Sequence, residues 1–224
     1  FQAVTGDVDN KGETKRYFQY LGNATPQGQQ AVMDFNLTNI LEAKVANKKD
    51  TFIAELHANK TKHYREILAG GEIPLRPGVK RLIDEARKEG VRLAIATTSA
   101  LPNAVALLEQ TLDPSWFEII AAGDIVPAKK PAPDIYHYVL KEMNLAAKDC
   151  LVVEDSHHGL LASLGASLPT IVTFNDYTEG HDFSGALLVV NHLGEPELSC
   201  TVVAGLSENF SYLDIKTINT IHRF

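Results

Sequence analysis

The chain has 224 residues, 45% hydrophobic and 22% charged, an ordinary globular composition that suits one domain with an insertion or two small domains. Its net charge of −7 and pI of about 5.6 give no basic surface for nucleic acid or an anionic membrane, so an anionic substrate needs positive charge gathered in its pocket. Two cysteines form no disulfide framework, no apolar run approaches membrane length and no signal peptide is visible, so a cytoplasmic monomer is expected.

The chain opens at Phe1 rather than Met, which reads as a fragment. Residues 1 to about 73 are rich in helix formers. Tyr17 to Leu21 is apolar and aromatic, Gln29 to Ala46 suits a helix, and Thr51 to Leu68 suits another, closed by Gly70-Gly71. A small helical domain is expected there. After the Pro-rich crossing Ile73-Pro74-Leu75-Arg76-Pro77-Gly78 the pattern changes. Val79, Leu82, Ile83 and Ala86 follow helical spacing and Gly90 ends that helix. Val91 to Ala96 reads as a strand running into Thr97-Thr98-Ser99, Pro102 to Thr111 as a helix, and Phe117 to Ala121 as a strand. Ala132 to Met143 is helical, with Ile135, Tyr136, Val139 and Leu140 on one side. Leu151-Val152-Val153 is an apolar strand running into Glu154-Asp155-Ser156, expected to be buried on both faces. A helix over Gly159 to Ala166 and strands at 170–174 and 187–190 complete the alternation. The fold class is therefore α/β, a parallel Rossmann-like sheet covered on both faces over residues 74–224.

Three features fall at the carboxyl ends of these strands, the edge where open α/β sheets bind ligands. They are the hydroxyls Thr97, Thr98 and Ser99, the lysine pair in Ala128-Lys129-Lys130-Pro131-Ala132-Pro133-Asp134, and Glu154-Asp155. Hydroxyls donate to phosphate oxygens, an ammonium offsets their charge, and paired carboxylates suit a hard cation, Mg2+ above all. Taken singly, each has a plainer reading: a helix N-cap, an exposed basic pair, a solvated acidic turn. His157-His158 are expected to face solvent, since adjacent residues rarely ligate one ion, and Trp116 and Phe117 are expected in the core.

In this order the motifs resemble those of the haloacid-dehalogenase-like phosphohydrolases, and within them the CbbY-type branch, the xylulose-1,5-bisphosphate phosphatases. Leu56-His57-Ala58-Asn59-Lys60-Thr61, Ile73-Pro74-Leu75-Arg76-Pro77-Gly78-Val79 and His192-Leu193-Gly194-Glu195-Pro196 extend the resemblance over nearly the whole chain. The resemblance implies an α/β core, with residues 1–73 as an inserted helical cap. It implies Thr97 as the phosphate-binding hydroxyl, Lys130 as the motif lysine, and Asp155 as an Mg2+ ligand with Glu154 beside it, direct or through water. Lys60 resembles the lysine that grips a distal phosphate, against the plainer reading of a solvated helix lysine; Arg16 is a second candidate and Lys15 a spare.

The departures are as informative. The family's apolar strand ending in Asp-x-Asp-Gly, which carries the nucleophile, is not found; it is also the central strand of the sheet. Asp7-Val8-Asp9-Asn10-Lys11-Gly12 is the nearest candidate, but Phe1 to Gly6 make a poor buried strand and Asn10 replaces glycine. Lys11 and Phe18 also rule out a calcium loop, so this stretch reads as a cap insertion. Gly12-Glu13-Thr14-Lys15-Arg16 alters a basic cap segment, and Ser167 stands where the family has glycine. The expected function is a Mg2+-dependent sugar-phosphate phosphatase, its substrate a small phosphorylated sugar such as a pentulose bisphosphate, with no membrane or nucleic-acid partner. The alternatives are a phosphoglucomutase-like enzyme on the same core and a non-catalytic binding module.

Overall fold

The computed structural model describes residues 49–70, 74–123, 125–205 and 210–222. The segments Tyr17–Leu21 and Gln29–Ala46, Asp7–Gly12 and Arg16 lie outside the described residues. The chain divides into two compact units between Glu66 and Ile67, within helix α1 (Lys49–Ala69). In the smaller unit α1 carries exposed pairs of its own, such as Lys62 with Glu66 at 4.0 Å.

The larger unit is an α/β body. Helix α2 (Val79–Lys88) starts at Gly78, whose φ of 84° suits glycine alone and whose added Cβ would lie 2.5 Å from the Gly194 carbonyl. Leu82 and Ala86 face inward, and Arg87 and Lys88 complement the helix dipole in the last turn. Strand β1 (Ala94–Thr97) pairs in parallel with β2 (Ile119–Ala122). Between them runs α3 (Leu101–Thr111), and after β2 comes α4 (Asp134–Met143). The Lys130–Pro131 peptide before α4 is cis. Strand β3 (Val152–Glu154) leads through α5 (His157–Gly165) to β4 (Thr170–Thr173), then β5 (Leu188–Val190) and β6 (Val202–Gly205), with helix α6 (Ile215–His222) last. The order is β3-β4-β5-β6, parallel except that β6 runs antiparallel to β5.

Side chains alternate across β4 and β5 as the pleat requires. Ile171, Leu188 and Val190 pack with Leu82, Leu213, Ile218 and Ile221 on one face, while Val172 and Val189 pack with Leu160 on the other. A third cluster, of Ala121, Ile135, Tyr136, Ala162, Ala166 and Leu168, takes in Ala96 and Val152 and so joins the two sheets. The stretch His192–Pro196 is a brace: Arg81 donates from Nε to Glu195 Oε2 at 2.9 Å and from NH2 to the Gly194 and Leu213 carbonyls at 2.8 and 3.0 Å. Glu195 Oε1 accepts from the Gly78 N–H at 2.8 Å, closing the loop onto the start of α2.

The α/β expectation stands, with corrections. The sheet is mixed rather than parallel throughout, because β6 returns beside β5; neither it nor α6 was read from the sequence. β3 is not buried on both faces, since Val153 is 45% exposed. The reason is positional. Among the described residues β3 pairs only with β4, and β1 only with β2, so each keeps an open edge. Trp116 and Phe117 are half-buried rather than core residues, and the Arg87 guanidinium lies 4.1 Å from the Trp116 ring centroid. Ser167 has a φ of 59°, left-handed, at the end of α5. Its N–H donates to the Leu164 carbonyl at 2.9 Å and that of Leu168 to Ser163 at 3.0 Å, the Schellman pattern that favours glycine at this position.

Candidate active site

The open edges of β1 and β3 end in the residues that the sequence marked for chemistry. Thr97 closes β1, and its Oγ1 accepts from the Ser99 N–H at 3.1 Å, which leaves its own proton to donate. Thr98 and Ser99 follow, half-buried, in the turn before α3. None of the three caps that helix: the N-cap is Ala100, with no side-chain cap. The plainer reading of these hydroxyls as an N-cap is therefore not what the chain does with them.

Glu154 closes β3, and its side chain is only 9% exposed. Lys130 reaches it from the loop before α4, and the ammonium donates to Glu154 Oε1, to the Ala96 carbonyl of β1 at 3.0 Å and to the Tyr136 hydroxyl at 3.2 Å. A single side chain thus connects the carboxyl ends of the two sheets. Lys130 is itself only 11% exposed, so the pair is a buried one whose geometry matters. The Tyr136 hydroxyl donates to the same Glu154 oxygen. On the other side stands Gly159 of α5, whose added Cβ would lie 1.9 Å from Glu154 Oε2. Only glycine lets that helix come so close to the carboxylate.

Asp155 follows, half-buried, and Ser156 caps α5 by accepting the Gly159 N–H at 3.1 Å. Arg76 lies nearby: it donates to the Thr173 carbonyl at 2.8 Å and the Phe174 carbonyl at 2.5 Å, and to the carbonyl of Asn191. Burial lowers its pKa, opposed by the charges of Asp155 and Asp176. His157 is half-buried rather than solvent-facing and donates from Nδ1 to the Asp182 carbonyl at 2.6 Å; His158 is exposed.

As a magnesium site this edge fits in part. Its donors are carboxylate oxygens, as a hard cation prefers, and magnesium commonly takes one or two carboxylates and completes its shell with water and phosphate. Glu154 Oε1 is engaged by Lys130 and Tyr136, and Oε2 lies against Gly159 and accepts from the Asp155 N–H at 3.4 Å, so the Asp155 carboxylate is the group that would hold the ion, with Glu154 beside it. Among the described residues no group of three or more His, Cys, Asp or Glu side chains is gathered as a metal cluster.

Lys60 lies on α1 in the smaller unit, half-buried, and burial lowers its pKa. The residues missed from the sequence are Tyr136, Gly159 and Arg76. Tyr136 counted as one more apolar residue on its helix, and the partners of Arg76 lie 97 to 115 positions away, beyond any local pattern. A glycine five places after the acid that ends β3 was the one signal available.

A family model of haloacid dehalogenase-like hydrolases matches residues 6–166. The plasmid protein CbbY of Cupriavidus necator is 43% identical over 173 residues, covering 75% of this chain and 68% of the relative. CbbY of Rhodobacter capsulatus is 47% identical over 140 residues, covering 61% of this chain and 62% of the relative. The matched stretches thus span about two thirds of these relatives. The crystal structure of a mutant CbbY from Rhodobacter sphaeroides in complex with xylulose-(1,5)bisphosphate is similar at 43% identity and a TM-score of 0.60, covering 62% of this chain and 64% of that one. A hydrolase of the same superfamily from Entamoeba histolytica, 20% identical with a TM-score of 0.57, covers 94% of this chain and 84% of its own, a likeness of fold alone. No helix among the described residues is long and apolar enough to cross a membrane.

Proposed function

The chain belongs to the haloacid dehalogenase-like hydrolases, on their CbbY-type branch, and from that premise we propose that it is the core and cap of a magnesium-dependent phosphatase acting on a sugar bisphosphate. The observation that carries the reading is the position of Lys130. Its ammonium stands between the Ala96 carbonyl at the end of β1 and the Glu154 carboxylate at the end of β3. It thereby brings the hydroxyl, lysine and acid motifs to one edge of the sheet. The similar CbbY crystallised with a pentulose bisphosphate supports that substrate class here.

In this mechanism Thr97 donates its hydroxyl proton to a phosphate oxygen, and Lys130 offsets the charge of the transferring group. Asp155, with Glu154 beside it, would hold the magnesium ion, which when bound would supply positive charge against the phosphate oxygens. An aspartate attacks phosphorus as the bond from phosphorus to the sugar oxygen breaks, the sugar leaves as its protonated alcohol, and water then hydrolyses the acyl phosphate to free phosphate and the aspartate. That aspartate lies outside the described residues, and the open edges of β1 and β3 suit the strand that would present it. Residues 1–73 serve as the cap. Within it Lys60 and Arg16 meet the distal phosphate, while the core grips only the phosphate being removed. The site of action is the cytoplasm, with the enzyme a monomer.

The test is phosphate release from xylulose 1,5-bisphosphate with and without Mg2+, by this chain and by the chain extended with whatever codons precede Phe1. Release by the chain as it stands assigns the nucleophile to Asp7; release only after extension assigns it to a preceding strand. Conversion of a hexose 1-phosphate, offered separately, into its 6-phosphate without release of free phosphate, or no turnover in either form, overturns the reading. In the active form Lys60→Ala should lower kcat/KM for the bisphosphate by roughly 10- to 150-fold, the worth of one charge-assisted contact, and leave a small monophosphate nearly unaffected.

A further inference from the structure

We propose that Tyr136 is a positioning residue of this edge, its hydroxyl and ring together setting where the Lys130 ammonium and the Glu154 carboxylate stand. The inference rests on the phosphatase reading for its purpose, but the geometry is independent of it. Tyr136 lies in the first turn of α4 and is 5% exposed, its ring packed in the cluster that joins the two sheets. A buried phenol needs a partner for its hydroxyl. Here the hydroxyl donates to Glu154 Oε1 and accepts from Lys130 Nζ at 3.2 Å, while Lys130 donates to the same carboxylate oxygen. The three groups close a ring of hydrogen bonds. Lys130 Nζ also sits 4.8 Å from the Tyr136 ring centroid, so the aromatic face bounds the ammonium from below.

Glu154 cannot yield in the other direction. An added Cβ at Gly159 would meet Oε2 at 1.9 Å, so the helix backbone already stands against the carboxylate. The phenol is therefore the stop on one side and α5 the stop on the other. Packing alone does not ask for the hydroxyl: phenylalanine would fill the same cluster. The hydroxyl has work only if the lysine and the acid must be held.

The experiment uses the 224-residue chain and trace acetic anhydride, reading acetylation of Lys130 by mass spectrometry against exposed Lys129 and Lys148. Tyr136→Phe should raise relative labelling of Lys130 roughly three- to tenfold, the worth of one hydrogen bond, with an unchanged melting temperature. Tyr136→Leu, which removes the ring as well, should raise it further. Mn2+ binding, followed by the ion's paramagnetic resonance, should weaken by a similar factor in Tyr136→Phe. Unchanged Lys130 labelling in both variants overturns the proposal, whatever becomes of the phosphatase reading. Labelling that rises equally at all three lysines also overturns it, since that is general loosening. Raised Lys130 labelling in a chain that binds no Mn2+ upholds the positioning role and tells against the metal reading instead.

Discussion

Strands β4 and β5 differ from β1 and β3 in what surrounds them. Every residue of β4 and β5 is buried, with neighbours on both edges and helices over both faces. No residue of β1 or β3 is fully buried, and each strand has one paired edge among the described residues. The candidate site residues fall on the second pair: Thr97 ends β1 and Glu154 ends β3. Strands wrapped on all sides can be held by apolar burial, which is non-directional. Strands at an open edge must have their end groups fixed by directed polar contacts, here those of Lys130 and Tyr136. Stability and site are thus placed on different strands, and substitution can separate them.

The strongest way to break that division is at its one polar weld. Lys130→Met leaves the buried Glu154 carboxylate without its cation and should cost about 3–5 kcal/mol in urea unfolding. The double change Lys130→Met with Glu154→Gln should recover most of the loss. Equal losses in single and double variants would mean that the pair is not coupled and that the edge is held some other way.

Next in size is a direct contrast of the two kinds of strand. Leu188→Ala in β5, a fully buried position, should cost about 2–5 kcal/mol, and Val153→Ala in β3 less than about 1 kcal/mol. Comparable losses would show that the edge strand carries as much of the core as the wrapped one. Smaller again is the cap of α6, the helix that lies over the β4–β5 face. Asp214 Oδ1 accepts from the Thr217 N–H at 2.7 Å, and Asp214→Ala should cost about 1 kcal/mol. Burial disfavours the ionised carboxylate, but the hydrogen bonds from Thr217 outweigh it and hold the pKa below its usual value. The contribution is therefore complete above the unfolded pKa of about 3.9 and is lost as pH falls through the lower folded value. Melting curves of the two proteins should run parallel at neutral pH and converge in acid. The smallest effect should be a gain. Ser167→Gly relieves a left-handed residue at the end of α5 and should stabilise by about 0.5–1 kcal/mol.

What could be read from the sequence follows the same division. β4, β5 and two of the helices packed on them, α2 and α5, announce themselves because burial leaves continuous apolar runs and regular spacing. The strand at β3 was located by the same run but its surroundings were misjudged, since an apolar segment says nothing about whether a neighbour stands beside it. β6 escaped because it is short, antiparallel and at an edge, with Val203 61% exposed. α6 escaped because Ile215, Ile218 and Ile221 span barely two turns. Within the candidate site, the placing of Thr97 and Glu154 at strand ends was legible from the apolar runs before them, and Lys130 and Asp155 joined them through the order of the motifs. The groups that hold them were not. A tyrosine on an apolar helix face hides its hydroxyl, and an arginine whose acceptors are backbone carbonyls far along the chain leaves no local trace.

Among the described residues β1 and β3 each keep one unpaired edge, and such edges bear on how strands behave in a crowded solution. An unpaired strand edge is a template, and a long flat apolar one invites unrelated chains to add to it until they precipitate. Here the two templates are four and three residues long, and a charged lysine bridges them at one end. Short edges beside a charge resist open-ended growth. Strands of that kind should feed no fibril, and light scattering on concentrated samples should show no runaway aggregation.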